Sequence, residues 1–157
     1  MSRRIVRPLD TLDRRLLELL SENARLSMKE LADKVGLSPP AAAERVRRLE
    51  ESGVIEGYTI RLNPGAVGLP LAVHMRLRPM PGELSRVAAL LQETPEVVEA
   101  ERVTGDDCFV ARAFVRGVEE LESLIDRFLP YAATNTAIIQ SSPVKRRMPR
   151  LPLDEGD

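Results

Sequence analysis

The helix signals between residues 27 and 52 constrain the fold more than any other part of the sequence. Ser27 and Glu30 have the spacing of a capping box, and Gly36 follows the apolar positions as a left-handed C-cap. The Ser38-Pro39 pair is then typical of the start of another helix, with Ser38 as the cap. Proline fits the first helical position because the amide that it lacks would be unpaired there anyway. This segment is therefore predicted to form two helices joined by a tight glycine turn.

Three helices are predicted in the N-terminal part of the chain. The first covers residues 10–22, with Asp10 as its N-cap, and the last ends at Gly53. Each helix has apolar residues at spacings of three and four, which is typical of helices that pack on a shared core. The predicted inward residues are Leu12, Leu16, Leu19, Leu20, Leu31, Ala32, Val35, Ala42, Val46 and Leu49.

The third predicted helix carries a charged face. Ala41, Arg45 and Arg48 are predicted to share that face, flanked by Glu44 and turned away from the apolar stripe. In helix-turn-helix proteins the first turn of the second helix meets base edges in the major groove, and arginine can bind guanine edges or phosphates. Periodicity alone leaves two interpretations open, a DNA-reading helix and the solvated face of a core helix.

A second domain is predicted after residues 54–62, which are rich in β-branched and aromatic residues and should be extended. Alternating polarity and helical spacings then give the order βαββαβ, the ferredoxin-like arrangement. The predicted strands are 71–78, 97–104, 108–115 and 134–141, with helices around 84–91 and 121–128. The predicted domains are 1–62 for the first domain with its linker strand, 63–70 for a linker, 71–142 for the second domain and 143–157 for a tail.

Composition narrows the possible classes of protein. Aromatic residues make up only 3% of the chain, so both cores must be aliphatic, and two such small domains are marginal unless the protein oligomerises. The strand 108–115 is apolar on both faces, with Val110 and Phe114 on the second face, and a partner's sheet is the simplest cover for it.

Other features of the sequence exclude particular kinds of site and segment. A single cysteine, Cys108, rules out a disulfide framework or a multi-cysteine metal site within one chain. No apolar run approaches the roughly 20 residues that span a bilayer, and the charged start Met1-Ser2-Arg3-Arg4 is not followed by an apolar signal segment. We therefore expect a cytoplasmic protein with no membrane association, no metal, no cofactor and no catalytic residues.

Several separate motifs resemble the leucine-responsive/asparagine regulator (Lrp/AsnC) family of bacterial and archaeal transcription factors. The resemblance covers roughly residues 8–142. The motifs that carry it are Leu9-Asp10 with Asp13-Arg14 and Leu16-Leu17, Leu37-Ser38-Pro39, the run Glu44-Arg45-Val46-Arg47-Arg48-Leu49-Glu50, Gly53-Val54-Ile55, Gly57-Tyr58, and Val103-Thr104-Gly105-Asp106-Asp107.

This resemblance implies an α+β protein, with an N-terminal winged helix-turn-helix and a C-terminal ferredoxin-like effector and dimerisation domain. Residues 54–62 would pair with the same strand of a partner, and homodimers formed sheet to sheet often assemble into tetramers or octamers. The implied partners are double-stranded DNA and an amino acid or related small metabolite held between subunits. The DNA-contacting residues would be Ser38, Pro40, Ala41, Glu44, Arg45 and Arg48.

The implied effector site surrounds the Gly-Asp loop, which contains Gly105, Asp106 and Asp107. The Gly105 amide can face a carboxylate, either aspartate can pair with an ammonium, and the hydroxyls of Thr134 and Thr136 can bond either end. Without the resemblance, these residues favour a plain β-turn between two paired strands over a ligand site. Cys108 stands where the family commonly has an acidic residue. It is interpreted either as a small buried residue or as a redox sensor.

Two other functions compete with the ligand-responsive regulator. Siroheme decarboxylases share this fold by resemblance, but they depend on basic residues in the effector-domain cleft, and the chain offers only His74 there. His74 itself is interpreted either as an exposed or interface residue or as a protonation switch. The other alternative is a winged-helix repressor that senses redox state, or no ligand at all.

Overall fold

The computed structural model describes residues 9–151, which form two compact units. The N-terminal unit comprises residues 9–60 together with residues 144–151, and the C-terminal unit comprises residues 61–143. The charged N-terminus and the end of the predicted tail, residues 1–8 and 152–157, lie outside the described residues.

The N-terminal unit contains three helices, which are α1 (Thr11–Glu22), α2 (Met28–Val35) and α3 (Pro39–Glu51). The predicted caps of the first two are confirmed. Asp10 accepts a hydrogen bond from the amide of Asp13 at 2.8 Å, and the Ser27 hydroxyl accepts one from the amide of Glu30 at 3.2 Å. α2 ends at Gly36, whose φ of 70° is left-handed and favours glycine.

Aliphatic side chains fill the core between these helices. Leu16 and Leu31 are completely buried, and Val46 of α3 packs in the same cluster. Full burial of one such side chain contributes about 1.5–3 kcal/mol, so a few shared residues fix how the helices pack. The other predicted inward residues are either buried (Leu19, Leu20, Ala32, Ala42 and Leu49) or partly buried (Leu12 and Val35).

The start of α3 differs from the prediction at Ser38. This residue occupies the N-cap position, but its hydroxyl makes no capping hydrogen bond. A capping side chain accepts from the amide of the second or third helical residue. Pro40 at the second position has no amide, which leaves Ala41 as the one possible donor, and the hydroxyl does not bond to it. The fixed φ angles of Pro39 and Pro40 therefore set the start of this helix.

The segment after α3 pairs with no other strand of the described chain. Residues 54–63 run as bends and irregular chain and form no strand within the described chain, and a short 3-10 helix, Pro64–Val67, follows. Exposed apolar side chains occur at every second position, at Tyr58, Ile60 and Leu62. Because a strand needs a neighbour to pair its backbone groups, the linker strand implied by the resemblance requires a partner from outside this chain.

The C-terminal unit is an antiparallel sheet with two helices. Its elements are β1 (Leu71–Pro79), α4 (Leu84–Glu93), β2 (Val97–Arg102), β3 (Phe109–Val115), α5 (Val118–Phe128) and β4 (Ala132–Ile138). The strands lie in the order β2-β3-β1-β4, and each neighbouring pair is antiparallel. This is the ferredoxin-like arrangement, so the predicted α+β fold is confirmed.

The sheet has one covered face and one open face. On β1, Val73, Met75 and Leu77 are fully buried in a core shared with α4 and α5, whereas the alternate residues His74 and Arg76 are exposed. On β3, buried residues likewise alternate with half-buried ones. The open face therefore runs across both central strands, as the two-faced apolar pattern of residues 108–115 predicts.

Candidate DNA-binding helix and ligand loop

The exposed side of α3 begins with a proline-rich turn. Ser38 and Pro40 are exposed and Ala41 is partly exposed, so this turn presents mainly methylene and methyl groups. Pro39 and Pro40 also remove two of the amides that a helix N-terminus usually directs at a phosphate. The first turn is therefore better suited to apolar contacts, such as those with thymine methyl groups, than to anchoring a phosphate.

Arg45 does not lie on the free face of α3, contrary to the sequence prediction. Its Nη1 is 2.6 Å from Oδ2 of Asp10 and 2.8 Å from Oδ1 of Asp13, and its side chain is 22% exposed. Residues four apart in an α-helix lie on almost the same side of it. Arg45 is therefore only about 40° around the helix axis from the buried Leu49. Whether Arg45 contacts DNA remains a prediction.

The ion pairs that join the start of α1 to α3 shift the pKa values of Arg45 and Asp10. Hydrogen bonds to Asp10 and then to Asp13 raise the pKa of Arg45. Burial by itself would raise the pKa of Asp10, but the amide of Asp13 and the guanidinium of Arg45 outweigh it, so the pKa is lowered. Asp10 and Arg45 are therefore held in their charged forms.

Glu44 and two other arginines form an exposed network along α3. Arg47 binds Glu44 through two nitrogens, at 2.9 and 2.8 Å, and also contacts Glu51. The hydrogen bonds from Arg47 lower the pKa of Glu44. Arg48 is held less closely, since its Nε is 3.7 Å from Oε1 of Glu44 and 43% of its side chain is exposed. Arg48 can therefore turn toward DNA without breaking a short ion pair.

The Gly-Asp loop, residues 103–108, joins β2 to β3 at one end of the sheet. The amide of Val103 donates to the carbonyl of Cys108 at 2.8 Å and closes the loop. Gly105 has a φ of 107°, which favours glycine, and a Cβ at this position would meet no atom within 4 Å. Cys108 has a φ of 53°, a left-handed conformation that costs a non-glycine residue about 1–2 kcal/mol. This conformation explains why β3 begins at Phe109 rather than at Cys108.

Two arginines that the sequence analysis did not single out lie beside this loop. Nη1 of Arg76 is 3.8 Å from Oδ2 of Asp107, and Nη2 of Arg78 is 3.7 Å from Oδ2 of Asp106. Both arginines project from the open face of β1, where the sequence signal was their alternation with apolar residues. The pairs are long and mostly exposed, so they are weak, and their charged groups can bind another partner with better geometry.

Thr134 and Thr136 lie on the other face of the sheet. β4 begins at Ala132, two residues earlier than predicted, and it pairs Thr134 with Leu77 and Thr136 with Met75. Directly paired residues project to the same side, so both hydroxyls face the helix-covered layer. Oγ1 of Thr136 is buried there without a hydrogen-bond partner. The structure therefore does not place these threonines on the face that carries Arg76 and Arg78, and their role in an effector site remains a prediction.

The remaining special residues show no further site. Cys108 is partly buried and forms no disulfide, and His74 is exposed on β1. Within residues 9–151, no three His, Cys, Asp or Glu side chains are grouped to hold a metal ion. No helix in the same range is long and apolar enough to cross a membrane.

Two family models match the chain. A winged helix-turn-helix DNA-binding model matches residues 9–56, and a model of the Lrp/AsnC ligand-binding domain matches residues 72–149. The first match covers the three-helix unit with α3, and the second covers the sheet unit with the Gly-Asp loop.

Known proteins match over nearly the whole chain. The HTH-type transcriptional regulator LrpC of Bacillus subtilis is 34% identical over 133 residues, which are 85% of this chain and 92% of LrpC. The solved structure of LrpC has a TM-score of 0.85 at 32% identity, covering 89% of this chain and 100% of that chain. The feast or famine regulatory protein of Mycobacterium tuberculosis, solved in complex with L-methionine, has a TM-score of 0.83 at 34% identity, covering 90% and 98%.

These relatives are named as regulators, and they lend no support to the decarboxylase or redox alternatives. Both halves of the resemblance found in the sequence are confirmed by separate family models in the expected order. The chain therefore belongs to the Lrp/AsnC family of DNA-binding transcriptional regulators, with a winged helix-turn-helix followed by a ligand-binding domain.

Proposed function

We propose that this regulator binds double-stranded DNA as a homodimer and responds to an amino acid held at the Gly-Asp loop. The charges around the loop carry the ligand part of this proposal. An amino acid has an ammonium and a carboxylate, and the loop region offers Asp106 and Asp107 for the first and Arg76 and Arg78 for the second. One zwitterion can therefore replace two long ion pairs with shorter ones.

A relative supports the same ligand class. The Mycobacterium tuberculosis protein, 34% identical, was solved with L-methionine bound. Cys108 stands in this chain where the family commonly has an acid, so the ammonium depends on Asp106 and Asp107. We therefore expect weak binding or an altered preference among amino acids and related metabolites.

Calorimetric titration with the twenty amino acids tests the ligand site. The parent should bind at least one of them. Arg76→Ala should lose the binding signal because the ligand carboxylate loses its arginine partner, and Gly105→Trp should lose it because the indole blocks the loop. Arg147→Ala removes an exposed arginine outside the sheet and is the matched control, which should bind normally. Binding that persists unchanged in Arg76→Ala and Gly105→Trp would place the ligand elsewhere.

A second copy of the chain is the proposed cover for the open sheet face. Val110 and Phe114 are half-buried there, and between them Arg112 has a buried Nε without a hydrogen-bond partner. Glu99 and Glu101 of β2 are paired in register with Arg112 and Val110, so their carboxylates share this face. The face thus combines apolar groups with charges of both signs, which a two-fold related copy can match.

The linker offers a second contact between copies. Tyr58, Ile60 and Leu62 are exposed at alternate positions, which is the pattern of a strand with an apolar side. Pairing two linkers across a dimer would satisfy their backbone groups and cover these side chains. Assembly of the dimers into tetramers or octamers remains a further prediction of the family resemblance.

Light scattering on Phe114→Asp tests the dimer. The added carboxylate would be buried at the interface, which is strongly unfavourable unless it is paired, so the dimer should dissociate or aggregate. Gln92→Asp adds the same charge to an exposed position on α4 and should remain dimeric. A parent protein that is monomeric at micromolar concentration would refute the proposed interface.

The proposed reading surface follows from the exposed side of α3. Ser38, Pro40 and Ala41 would meet bases in the first turn, and Glu44 and Arg48 would meet bases or phosphates beyond it. In a dimer, two such helices read half-sites about 34–36 Å apart. We propose that this non-catalytic regulator acts in the cytoplasm, where the chromosomal DNA is.

A further inference from the structure

A three-residue ion-pair cluster fixes α3 to α1. Arg45 donates through Nη1 to Oδ2 of Asp10 and to Oδ1 of Asp13. Asp10 cannot move freely, because its other oxygen, Oδ1, accepts the amide of Asp13 as the N-cap of α1. The Asp10 carboxylate is therefore already in place to receive the guanidinium. The Asp13 side chain is 14% exposed and that of Arg45 is 22% exposed, so this part of the cluster is largely shielded from water.

The cluster closes the edge of the packing between α1 and α3. Arg45 is next in sequence to Val46, and Asp13 lies one helical turn before Leu16, and both Val46 and Leu16 are in the core. α3 packs less extensively on α1 than on α2, so apolar contacts with α1 restrain its tilt only weakly. An ion pair at this edge restrains the tilt directly. A DNA-reading helix needs such restraint, because a binding surface must be held within roughly 10–20° of its productive orientation.

We infer that Arg45 is a positioning residue, which with Asp13 holds α3 in its reading orientation and does not contact DNA. The inference rests on the proposal that α3 reads DNA. Turning Arg45 toward a phosphate would leave Asp13 shielded without its cation, which is unfavourable. Arg45 instead acts on DNA affinity through the position of its neighbours, above all Arg48.

Substitution of Asp13 gives a test whose sign distinguishes this role. Removing a negative charge near DNA normally strengthens binding, because less repulsion opposes the phosphates. If Arg45 and Asp13 position α3, Asp13→Asn should instead weaken operator binding roughly three- to tenfold, as expected for one coupled pair. Glu22→Gln removes an exposed acid at the other end of α1 and is the control, which should bind as the parent does or slightly better.

The experiment measures operator affinity over a salt series for these variants and for Arg45→Ala, Arg45→Lys and the charge swap Asp13→Arg with Arg45→Asp. Thermal unfolding of each variant sets a temperature at which all are folded. We expect Arg45→Ala to lose about the same affinity as Asp13→Asn with an unchanged salt slope, and the swap and Arg45→Lys to recover part of it. The double variant Asp13→Asn with Arg45→Ala should be no worse than either single variant.

Two results would overturn the inference. The first is an Asp13→Asn variant that binds as tightly as the parent or more tightly. The second is a salt slope lowered by about one in Arg45→Ala, which would mean that Arg45 itself touches a phosphate. Arg48→Ala distinguishes failure of the positioning role from failure of the proposal that α3 reads DNA. If Arg48→Ala weakens binding and Asp13→Asn does not, only the positioning role is refuted. If neither variant changes operator binding, α3 is not the DNA-reading helix.

Discussion

Replacing Arg48 with alanine separates the DNA-contact role of α3 from its structural role. The Arg48 side chain is 43% exposed, and its Nε is 3.7 Å from the carboxylate of Glu44. An exposed pair of this kind contributes about 0.2–1 kcal/mol, so Arg48→Ala should unfold at nearly the parent temperature. A lost guanine contact removes about 1–3 kcal/mol of discrimination, which is roughly 5- to 150-fold between operator and random DNA. A lost phosphate contact instead weakens both duplexes alike and lowers the salt slope by about one.

The assay needs an operator, which in vitro selection from random duplexes supplies. Fluorescence anisotropy with that operator and a scrambled duplex, over a salt series, then gives both quantities. Arg15→Ala is the matched control, because the Arg15 side chain is 53% exposed and pairs with Glu18 of its own helix, α1. If Arg48→Ala binds the operator with the affinity and salt slope of the parent, Arg48 is not part of the reading surface.

Two further predictions concern the C-terminal unit. A hydrogen bond from Arg127 lowers the pKa of Glu96 below its ordinary value of 4.5. The free energy of unfolding of Glu96→Gln at pH 7 should therefore be lower than that of the parent by up to about 1 kcal/mol. Urea unfolding should show this deficit fully above pH 4.5 and disappearing as the pH falls through the lowered pKa; a deficit unchanged in acid would contradict it. Cys108→Gly should raise the free energy of unfolding by about 1 kcal/mol, because glycine adopts the φ of 53° without strain; destabilisation would mean that the thiol contributes more than the strain costs.

Features encoded within a few residues could be predicted from the sequence. The cap at Asp10, the capping box at Ser27 and the left-handed end at Gly36 each depend on residues no more than four apart, and all three are present. The order βαββαβ follows from the change of apolar spacing along the chain, which is also a local signal. Separate family motifs then supplied the function that periodicity left open.

Features that depend on distant contacts could not be predicted in the same way. The direction of Arg45 is decided by acids more than thirty residues earlier in the chain. Arg76 approaches Asp107 only because β1 and β3 are neighbours in the sheet. Thr134 and Thr136 face the helix layer because β4 pairs with β1 in one particular register, and a shift of one residue would turn both to the open face.

In the proposed function, ligand binding in the C-terminal unit changes the DNA affinity of the N-terminal unit. Titrating the operator with and without the amino acid that calorimetry identifies measures this coupling. We expect a severalfold change in operator affinity in the parent and no change in Gly105→Trp. Adding DNA should change the ligand affinity of the parent by the same factor, since coupling is reciprocal. A ligand that binds the parent but leaves its operator affinity the same would refute the coupling, because equal affinity for both states shifts neither.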